Sequence, residues 1–370
     1  MPRALEGIRV LDLSRILAGP FATQMLADLG ADVVKVEAPW GDDTRRWGPP
    51  FIGEDAAYFH SCNRGKRSIT LDLFQSTEVL HQLIAACDVL VENFKPGTLE
   101  RLGITEEMLE GKVPCRISGF GQTGPRRDEP GYDVALQGMT GIMSVTGETD
   151  GAPVKVGVAW IDVLTGLTAG NAILAALFHR ERTSEGQIID LSLYDVALMA
   201  MVNQAQNWIA TGEDPGRMGH AHPNLVPYQA FEASDAWFIL ATGNDAQFEK
   251  VCNVLGLELW QDEELQTNAG RIARRAEVIG SLGAVFETNS ASHWIAVFNE
   301  AGVPATPINA ISDAFTDAQA AARDALWELP SGPSVANALR FMSATPAAPA
   351  GDVPSLGEHT DEVMSEWLGA

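Results

Sequence analysis

The first forty residues alternate between short apolar segments and one amphipathic segment. Residues 8–13 and 31–37 are apolar runs of strand length, and residues 21–29 between them repeat apolar side chains at helical spacing. Gly19-Pro20 breaks the chain before the helical segment, and Gly30 ends it. A strand–helix–strand unit of this length joins parallel strands. The segment therefore predicts a parallel sheet with helices packed on it.

The same alternation continues to about residue 195. A helical segment at 76–86 begins at Ser76, its expected cap, and further strand-like segments follow at 88–94, 116–121 and 188–193 and within 64–73. This pattern predicts a doubly wound α/β domain. Ligands of such sheets bind beyond the carboxyl ends of the strands. Two candidate ligand-binding segments fall at such ends, namely residues 93–95 and the glycine-rich loop 119–125.

The remainder of the chain predicts a second, smaller domain. Residues 194–209 read as one apolar helix, and the composition changes after Ala210. Residues 211–217 look like a linker, 228–241 a hairpin and 245–302 a set of helices. We therefore expect a large domain at 1–210 and a small α+β domain with its linkers at 211–319.

Composition excludes several classes of partner. The chain has 49 acidic and 25 basic residues, a net charge of −24, so nucleic acids and anionic membranes are unfavourable partners. Its four cysteines are widely spaced, which is typical of a reducing compartment, and the sequence shows no apolar run of about 18 uncharged residues. His220 and His222 lack a third ligand at helical spacing, so we expect no metal. We expect a soluble cytoplasmic protein.

One cluster of positive charge stands against this acidic background. Five basic residues fall within 23 positions: Arg45, Arg46, Arg64, Lys66 and Arg67. Such a cluster forms either a local binding site for an anionic ligand or a solvated face, and the residues alone do not decide between the two.

Asp162 is the candidate catalytic residue. It ends an apolar run that begins at Val154 and precedes a helical pattern that ends near His179. An Asp at this place is typical of a helix N-cap, where the helix dipole favours its ionised form. A fixed, ionised carboxylate in an apolar cleft is also what an aspartate nucleophile requires.

A dinucleotide-binding site is the competing interpretation of the first strand–helix–strand unit. Glu37 ends the second strand, where a ribose-binding acid would lie. The preceding turn reads Leu17-Ala18-Gly19-Pro20-Phe21, with one glycine and a proline in place of G-x-G-x-x-G. This turn disfavours a nicotinamide cofactor.

Several ordered segments together carry a resemblance to one family. These are residues 10–15, 18–20, 26–37, 63–68, 91–94, 119–121, 186–187 and 356–360, and Asp162 with its helix. The sequence resembles the class III coenzyme A transferases, a family that also contains acyl-CoA racemases. The resemblance implies a Rossmann-like large domain completed by residues 320–370, and an interlocked homodimer.

The resemblance also implies an activity and a set of site residues. The enzyme would move CoA from an acyl-CoA, succinyl-CoA or another dicarboxylyl-CoA by family habit, to a small carboxylic acid through a covalent aspartyl intermediate on Asp162. CoA thioesters would be substrates, with no tightly bound cofactor. The implied CoA contacts are Arg15, Leu17, Ala18, Leu71, Phe74, Asn93, Phe94, Lys95, Arg101, Tyr132 and Asp133.

Tyr132 separates the two activities found in the family. The racemases carry a His-Asp pair where Tyr132-Asp133 stands here, and their histidine exchanges an α-proton. Tyrosine, with a pKa near 10, is a poor base at neutral pH, so Tyr132 favours transfer over racemisation. Ala38 stands where some members of the family carry a basic residue for the nucleotide phosphate, so either Arg45, Arg46 or Arg67 takes that role or the nucleotide binds more weakly.

Overall fold

The computed structural model describes residues 3–369, which form two compact units. The large unit runs to Met143, takes in Lys155–Glu213 and resumes at Ala322. The small unit comprises Ser144–Val154 and Asp214–Ala321. No sequence signal marked Ser144–Val154 as part of the small unit.

A six-stranded parallel sheet forms the centre of the large unit, as the alternating pattern predicted. Its strands are β1 (Arg9–Asp12), β2 (Asp32–Glu37), β3 (Arg67–Thr70), β4 (Val89–Glu92), β5 (Val113–Ser118) and β6 (Ile189–Ser192). They lie in the order β3-β2-β1-β4-β5-β6. The order reverses between β1 and β4, and the carboxyl ends of such a pair open a crevice.

Helices cover both faces of this sheet. The longer helices of the large unit are α1 (Ala18–Asp28), α2 (Thr77–Ala86), α3 (Asp133–Met139), α4 (Trp160–Thr183), α5 (Leu193–Ala200) and α6 (Val202–Thr211). Successive strand residues point to opposite faces. Val10 and Val33 accordingly join one buried cluster with α1 and α4, whereas Leu11 and Val34 join the other with α2. The sheet is therefore buried on both sides.

Two predicted helix limits were wrong. Helix α1 begins at Ala18, so Gly19-Pro20 lies inside its first turn. Proline fits there because its missing N–H would have no partner in the first turn of a helix. The apolar segment 194–209 forms two helices, α5 and α6, because the backbone turns to a φ of 31° at Val202.

Helices α1 and α4 pack closely because of a glycine. A Cβ placed on Gly166 would lie 2.8 Å from the carbonyl oxygen of Ala18 and 3.0 Å from the ring of Phe21. The first turn of α1 can therefore approach the second turn of α4. By length and composition alone α4 could cross a membrane, but a buried core helix passes the same test, and Ile161, Ala169 and others of its residues lie in the core.

The small unit and the end of the chain complete the fold. The small unit has an antiparallel sheet of β7 (Tyr228–Glu232), β8 (Trp237–Ala241) and β9 (Ala305–Pro307) in the order β9-β8-β7. Its helices are α7 (Asp245–Leu255), α8 (Asn268–Ala273), α9 (Arg275–Phe286), α10 (Ala291–Glu300) and α11 (Ile311–Thr316). The chain then forms α12 (Ala318–Ala322), the hairpin β10 (Leu326–Leu329) and β11 (Gly332–Val335), and α13 (Thr360–Leu368). Helix α13 packs on the large unit, where its Trp367 indole N–H donates to Asp32.

Candidate active site

One cavity of about 410 Å³ opens at the carboxyl ends of β1, β4 and β5. The loop after β1 supplies one wall, the loop after β4 a second, and the segment before α3 a third. The lining residues are Arg15, Ile16, Leu17, Ala18, Asn93, Phe94, Lys95, Pro96, Thr98, Arg101, Ile117, Ser118, Gly119, Arg127, Glu129, Pro130, Gly131, Tyr132, Asp133, Asp162 and Leu193. The cavity lies where the reversed strand order predicts a ligand site.

The structure brings together most of the residues that the resemblance implied. Ten of the twelve line this cavity, namely Arg15, Leu17, Ala18, Asn93, Phe94, Lys95, Arg101, Tyr132, Asp133 and Asp162. Leu71 and Phe74 do not. Leu71 is buried in the core beside α2, and Phe74 is 62% exposed. Both follow β3, which is the edge strand of the sheet and lies two strands away from β1.

Asp162 is not the N-cap that its sequence context predicted. Helix α4 begins at Trp160 with Ala159 as its N-cap, which puts Asp162 at the third helical position. The carboxylate of Asp133 caps this helix instead, accepting hydrogen bonds from the backbone N–H of Ile161 at 2.8 Å and of Asp162 at 3.4 Å. The prediction failed because the partner that satisfies the free N–H groups is distant in sequence.

The ionisation of Asp162 also differs from the prediction. Burial, and then the neighbouring charge of Asp133, raise the pKa of Asp162 to about 7. The positive end of α4 favours the ionised form, but this effect is smaller than the two that oppose it. At neutral pH the protonated form of Asp162 is therefore substantially populated, whereas we expected the ionised form.

Two neighbours fix the surroundings of this carboxyl. Gln137 donates a hydrogen bond from its side-chain amide to Asp133 at 2.6 Å, which orients the carboxylate that caps α4. Burial and the charges of Asp162 and Asp133 hold the pKa of the Tyr58 hydroxyl well above its usual value. Tyr58 therefore keeps its proton in the field of these two carboxylates. No sequence signal pointed to Tyr58.

The basic cluster is neither an anion site nor a solvated face. Four of its members form ion pairs inside the fold: Arg45 with Glu37 at 2.6 Å, Arg64 with Asp28 at 2.7 Å, Lys66 with Asp12 at 3.0 Å and Arg67 with Asp32 at 2.6 Å. Arg45, Arg64 and Lys66 are buried. Arg46 is exposed and pairs with Asp43. Arg45 and Arg67 are thus committed to internal partners and do not replace a basic residue at Ala38.

The positive charge of the cavity comes from other residues. Four exposed basic side chains contribute to its lining, namely Arg15, Lys95, Arg101 and Arg127. The resemblance implied the first three but not Arg127, which lies in an irregular loop without a periodic pattern. Exposed cations around a cavity suit a ligand that carries phosphate groups, since charge-assisted hydrogen bonds to phosphate are strong.

A close approach of two backbone segments shapes the cavity wall. Gly119 follows β5, and a Cβ placed on it would lie 2.6 Å from the Cα of Gly131. Only glycine allows this approach. The loop that carries Tyr132 is therefore held against the end of the sheet.

Within residues 3–369, no group of three or more His, Cys, Asp or Glu side chains is arranged to hold a metal ion. The ring nitrogen Nδ1 of His222 accepts a hydrogen bond from the backbone N–H of Asn224.

Comparison with known proteins gives one consistent result. A model of CoA-transferase family III matches residues 5–360. The succinate–glutarate CoA-transferase of Agrobacterium fabrum is 44% identical, over 98% of this chain and 95% of that protein. The succinyl-CoA:glutarate CoA-transferase of Mus musculus is 40% identical, over 99% of this chain and 87% of that protein.

A solved structure agrees with these relatives. The crystal structure of a CAIB/BAIF family protein from Brucella suis matches with a TM-score of 0.88 and 45% identity, covering 99% of this chain and all of that chain. The family model spans nearly the whole sequence, and the two named transferases match it almost end to end. The chain belongs to CoA-transferase family III.

Proposed function

We propose that this CoA-transferase moves CoA from succinyl-CoA, or another dicarboxylyl-CoA, to a small carboxylic acid through a covalent intermediate on Asp162. The position of the Asp162 carboxyl carries the proposal: it lines the cavity at the end of the sheet and is half-buried. The relatives named for succinate and glutarate support the choice of dicarboxylic acids.

The surroundings of Asp162 suit a nucleophile. Burial removes part of the hydration shell that would make a carboxylate unreactive, and it leaves the pKa of Asp162 at about 7. The first turn of α4 offers a dipole near the place where negative charge develops during acyl transfer. The ionised Asp162 therefore attacks the thioester in a site that stabilises the negative charge transferred to the thioester during the attack.

The proposed reaction has four steps that balance. The Asp162 carboxylate attacks the thioester carbonyl of the donor, which gives a mixed anhydride and releases the CoA thiolate. The thiolate attacks the aspartyl carbonyl, which releases the donor acid and leaves an aspartyl-CoA thioester. The acceptor carboxylate displaces the thiolate to form a second anhydride. The thiolate then attacks the acyl carbonyl of that anhydride, which gives the new acyl-CoA and restores Asp162.

The basic side chains that line the cavity are assigned to substrate binding. We assign the phosphate groups of CoA to Arg15, Lys95, Arg101 and Arg127, because all four are exposed and contribute to the cavity lining. The proposal needs no cofactor besides the CoA thioester itself.

α-Proton exchange, as in an acyl-CoA racemase, is the competing activity. It needs a base near neutral pKa opposite Asp162. Tyr132 stands at the position concerned, and no histidine is found among the described residues that line the cavity. Incubation with an acyl-CoA in deuterated water, without an acceptor acid, tests for the racemase activity. Exchange of the α-proton for deuterium would favour racemisation over CoA transfer.

The decisive experiment traps the intermediate on Asp162. The enzyme is mixed with succinyl-CoA and hydroxylamine, digested and examined by mass spectrometry. Attack on the anhydride or on the aspartyl-CoA thioester leaves a hydroxamate at Asp162, so we expect this modification in the wild type and in Glu263→Gln, an exposed carboxylate in the small unit. Asp162→Ala should lack it.

The outcome also decides the donor. If a panel of acyl-CoAs, including dicarboxylyl and monocarboxylyl thioesters, leaves Asp162 unmodified, the covalent mechanism is wrong. If only monocarboxylyl thioesters label Asp162, the mechanism holds and the dicarboxylyl donor is wrong.

We further propose that the enzyme is a cytoplasmic homodimer. Helix α6 buries none of its residues, and Trp208 and Ile209 on it are 51% and 63% exposed. Apolar exposure of this kind favours burial against a second chain. Light scattering should give twice the mass of one chain, and a mass near 39.7 kDa would exclude the dimer.

A further inference from the structure

The loop that follows β1 contains a strained residue. Ile16 has a φ of 72°, in the left-handed region, where a β-branched side chain clashes with its own backbone. Ile16 lines the cavity, and so do its neighbours Arg15 and Leu17. A conformation of this kind persists only where the surroundings enforce it.

One set of contacts holds the backbone of Ile16 from inside the fold. Its N–H donates to the carboxylate of Asp42, at 3.2 Å to one oxygen and 3.4 Å to the other. Lys35 is fully buried and donates to the same carboxylate at 3.0 Å and to the carbonyl oxygen of Ser14 at 2.9 Å. Asp42 and Lys35 therefore fix the loop at its strained residue and two residues before it.

A second contact holds the loop from the neighbouring strand. The side-chain oxygen of Asn93 accepts the backbone N–H of Arg15 at 2.9 Å, and its amide donates to the carbonyl oxygen of Arg15 at 2.7 Å. Asn93 follows β4, so this pair of bonds ties the loop after β1 to the loop after β4. The two loops form opposite sides of the crevice.

We propose that Asp42 and Asn93 are positioning residues, which hold Ile16 in its strained conformation so that residues 15–17 form the wall of the acyl-CoA cavity. The proposal rests on the proposed use of this cavity for the acyl-CoA. Without the two contacts, Ile16 relaxes to a negative φ and carries Arg15 and Leu17 out of the wall. The side chain of Asn93, which the resemblance assigned to CoA, then acts through the loop backbone.

The test uses the difference between glycine and a β-branched residue at position 16. Asp42→Asn removes the charge that holds Ile16 and Lys35, and we expect kcat/KM for succinyl-CoA to fall on the order of 10- to 100-fold. Adding Ile16→Gly should recover about fivefold or more, since glycine adopts a φ near 70° without strain. Adding Ile16→Val should recover nothing, because valine keeps the branched Cβ.

Two further readouts separate positioning from a merely structural role. Asp42→Asn should raise the KM for succinyl-CoA and the dissociation constant of CoA measured by calorimetry, while the KM for the acceptor acid changes little. Equal recovery with Ile16→Gly and Ile16→Val, or recovery with neither, would overturn the proposal. If Asp42→Asn does not fold, Asn93→Ala replaces it in the test and is combined in turn with Ile16→Gly and with Ile16→Val. Asn93 is half-buried, so the fold tolerates its loss better than the loss of Asp42.

The experiment distinguishes this inference from the proposed function. Wild-type enzyme that binds CoA but transfers none between dicarboxylic acids would refute the proposed substrates, and the calorimetric rescue would still test the two positioning residues. Wild-type transfer without the glycine-specific rescue would refute the positioning residues alone.

Discussion

Replacement of Asp162 by asparagine should abolish CoA transfer and at the same time stabilise the fold at alkaline pH. Asparagine removes the carboxylate that attacks the thioester, so transfer is lost. It also removes a group whose ionised form is unfavourable in the folded state, because burial and Asp133 raise the pKa of Asp162 to about 7. The two effects have the same origin but opposite signs.

The magnitude follows from the raised pKa. Below pH 4 Asp162 is protonated in the folded and unfolded chains, so its charge costs nothing. From pH 4 to 7 the folded chain keeps the proton and the unfolded chain loses it, so stability falls with rising pH and stays low above pH 7. The upper limit of the loss is about 4 kcal/mol at 1.36 kcal/mol per pKa unit. Solvent in the open cavity reduces this, and we expect about 1–2 kcal/mol.

Urea unfolding at pH 5 and pH 8 measures the effect. The free energy of unfolding of Asp162→Asn, relative to the wild type, should increase by about 1 kcal/mol or more from pH 5 to pH 8. Glu263→Gln serves as the control, since Glu263 is exposed and lies outside the cavity. An Asp162→Asn variant whose advantage is the same at both pH values would show that Asp162 is ionised at no cost, and the reasoning would fail.

Three further substitutions test the site and its support. Asp133→Asn removes the charge that raises the pKa of Asp162, so the acidic limb of the pH profile of kcat/KM should move to lower pH. Lys66→Met leaves Asp12 buried with one partner fewer, and urea unfolding should show a loss of about 3–5 kcal/mol. Gly119→Ala pushes the loop at the cavity wall away, and kcat/KM for succinyl-CoA should fall at least about tenfold.

Each of these has an outcome that contradicts it. An unchanged acidic limb in Asp133→Asn would assign the pKa of Asp162 to burial alone. Wild-type stability in Lys66→Met would mean that the buried pair contributes no net free energy. The control for Gly119→Ala is Gly280→Ala, because a Cβ on Gly280 meets no atom within 4 Å. Equal losses of kcat/KM in Gly119→Ala and Gly280→Ala would show that the close approach of Gly119 to Gly131 is not the cause.

The sheet was predictable because its signal is local. Four of the six strands are short apolar segments, β3 and β6 mix apolar with polar residues, and the alternation of such segments with helical ones identifies the sheet. The limits of α1 and the break between α5 and α6 were not predictable in this way. They depend on a proline accepted in a first turn and on a φ of 31° at Val202, and neither changes the apolar pattern.

The site was predictable only for residues that belong to sequence motifs. The resemblance assigned Asp162 and Asn93, and both line the cavity. It did not reveal that Asp133 caps α4 or that the charge of Asp162 acts on the Tyr58 hydroxyl, because these interactions join distant parts of the chain. The basic cluster misled for the same reason, since the partners of Arg64, Lys66 and Arg67 lie more than 30 residues away in the sequence.

The internal use of basic residues has a consequence for encounter with substrate. The buried ion pairs hold Arg45, Arg64 and Lys66, none of which lines the cavity, and the whole chain keeps a net charge of −24. A polyanion such as CoA is repelled at a distance and attracted only within a few ångströms of the cavity cations. Salt shortens the reach of the repulsion from about 30 Å at 0.01 M to about 8 Å at 0.15 M. Association with CoA should therefore become faster as salt is added at low ionic strength, the reverse of the behaviour of electrostatically steered pairs.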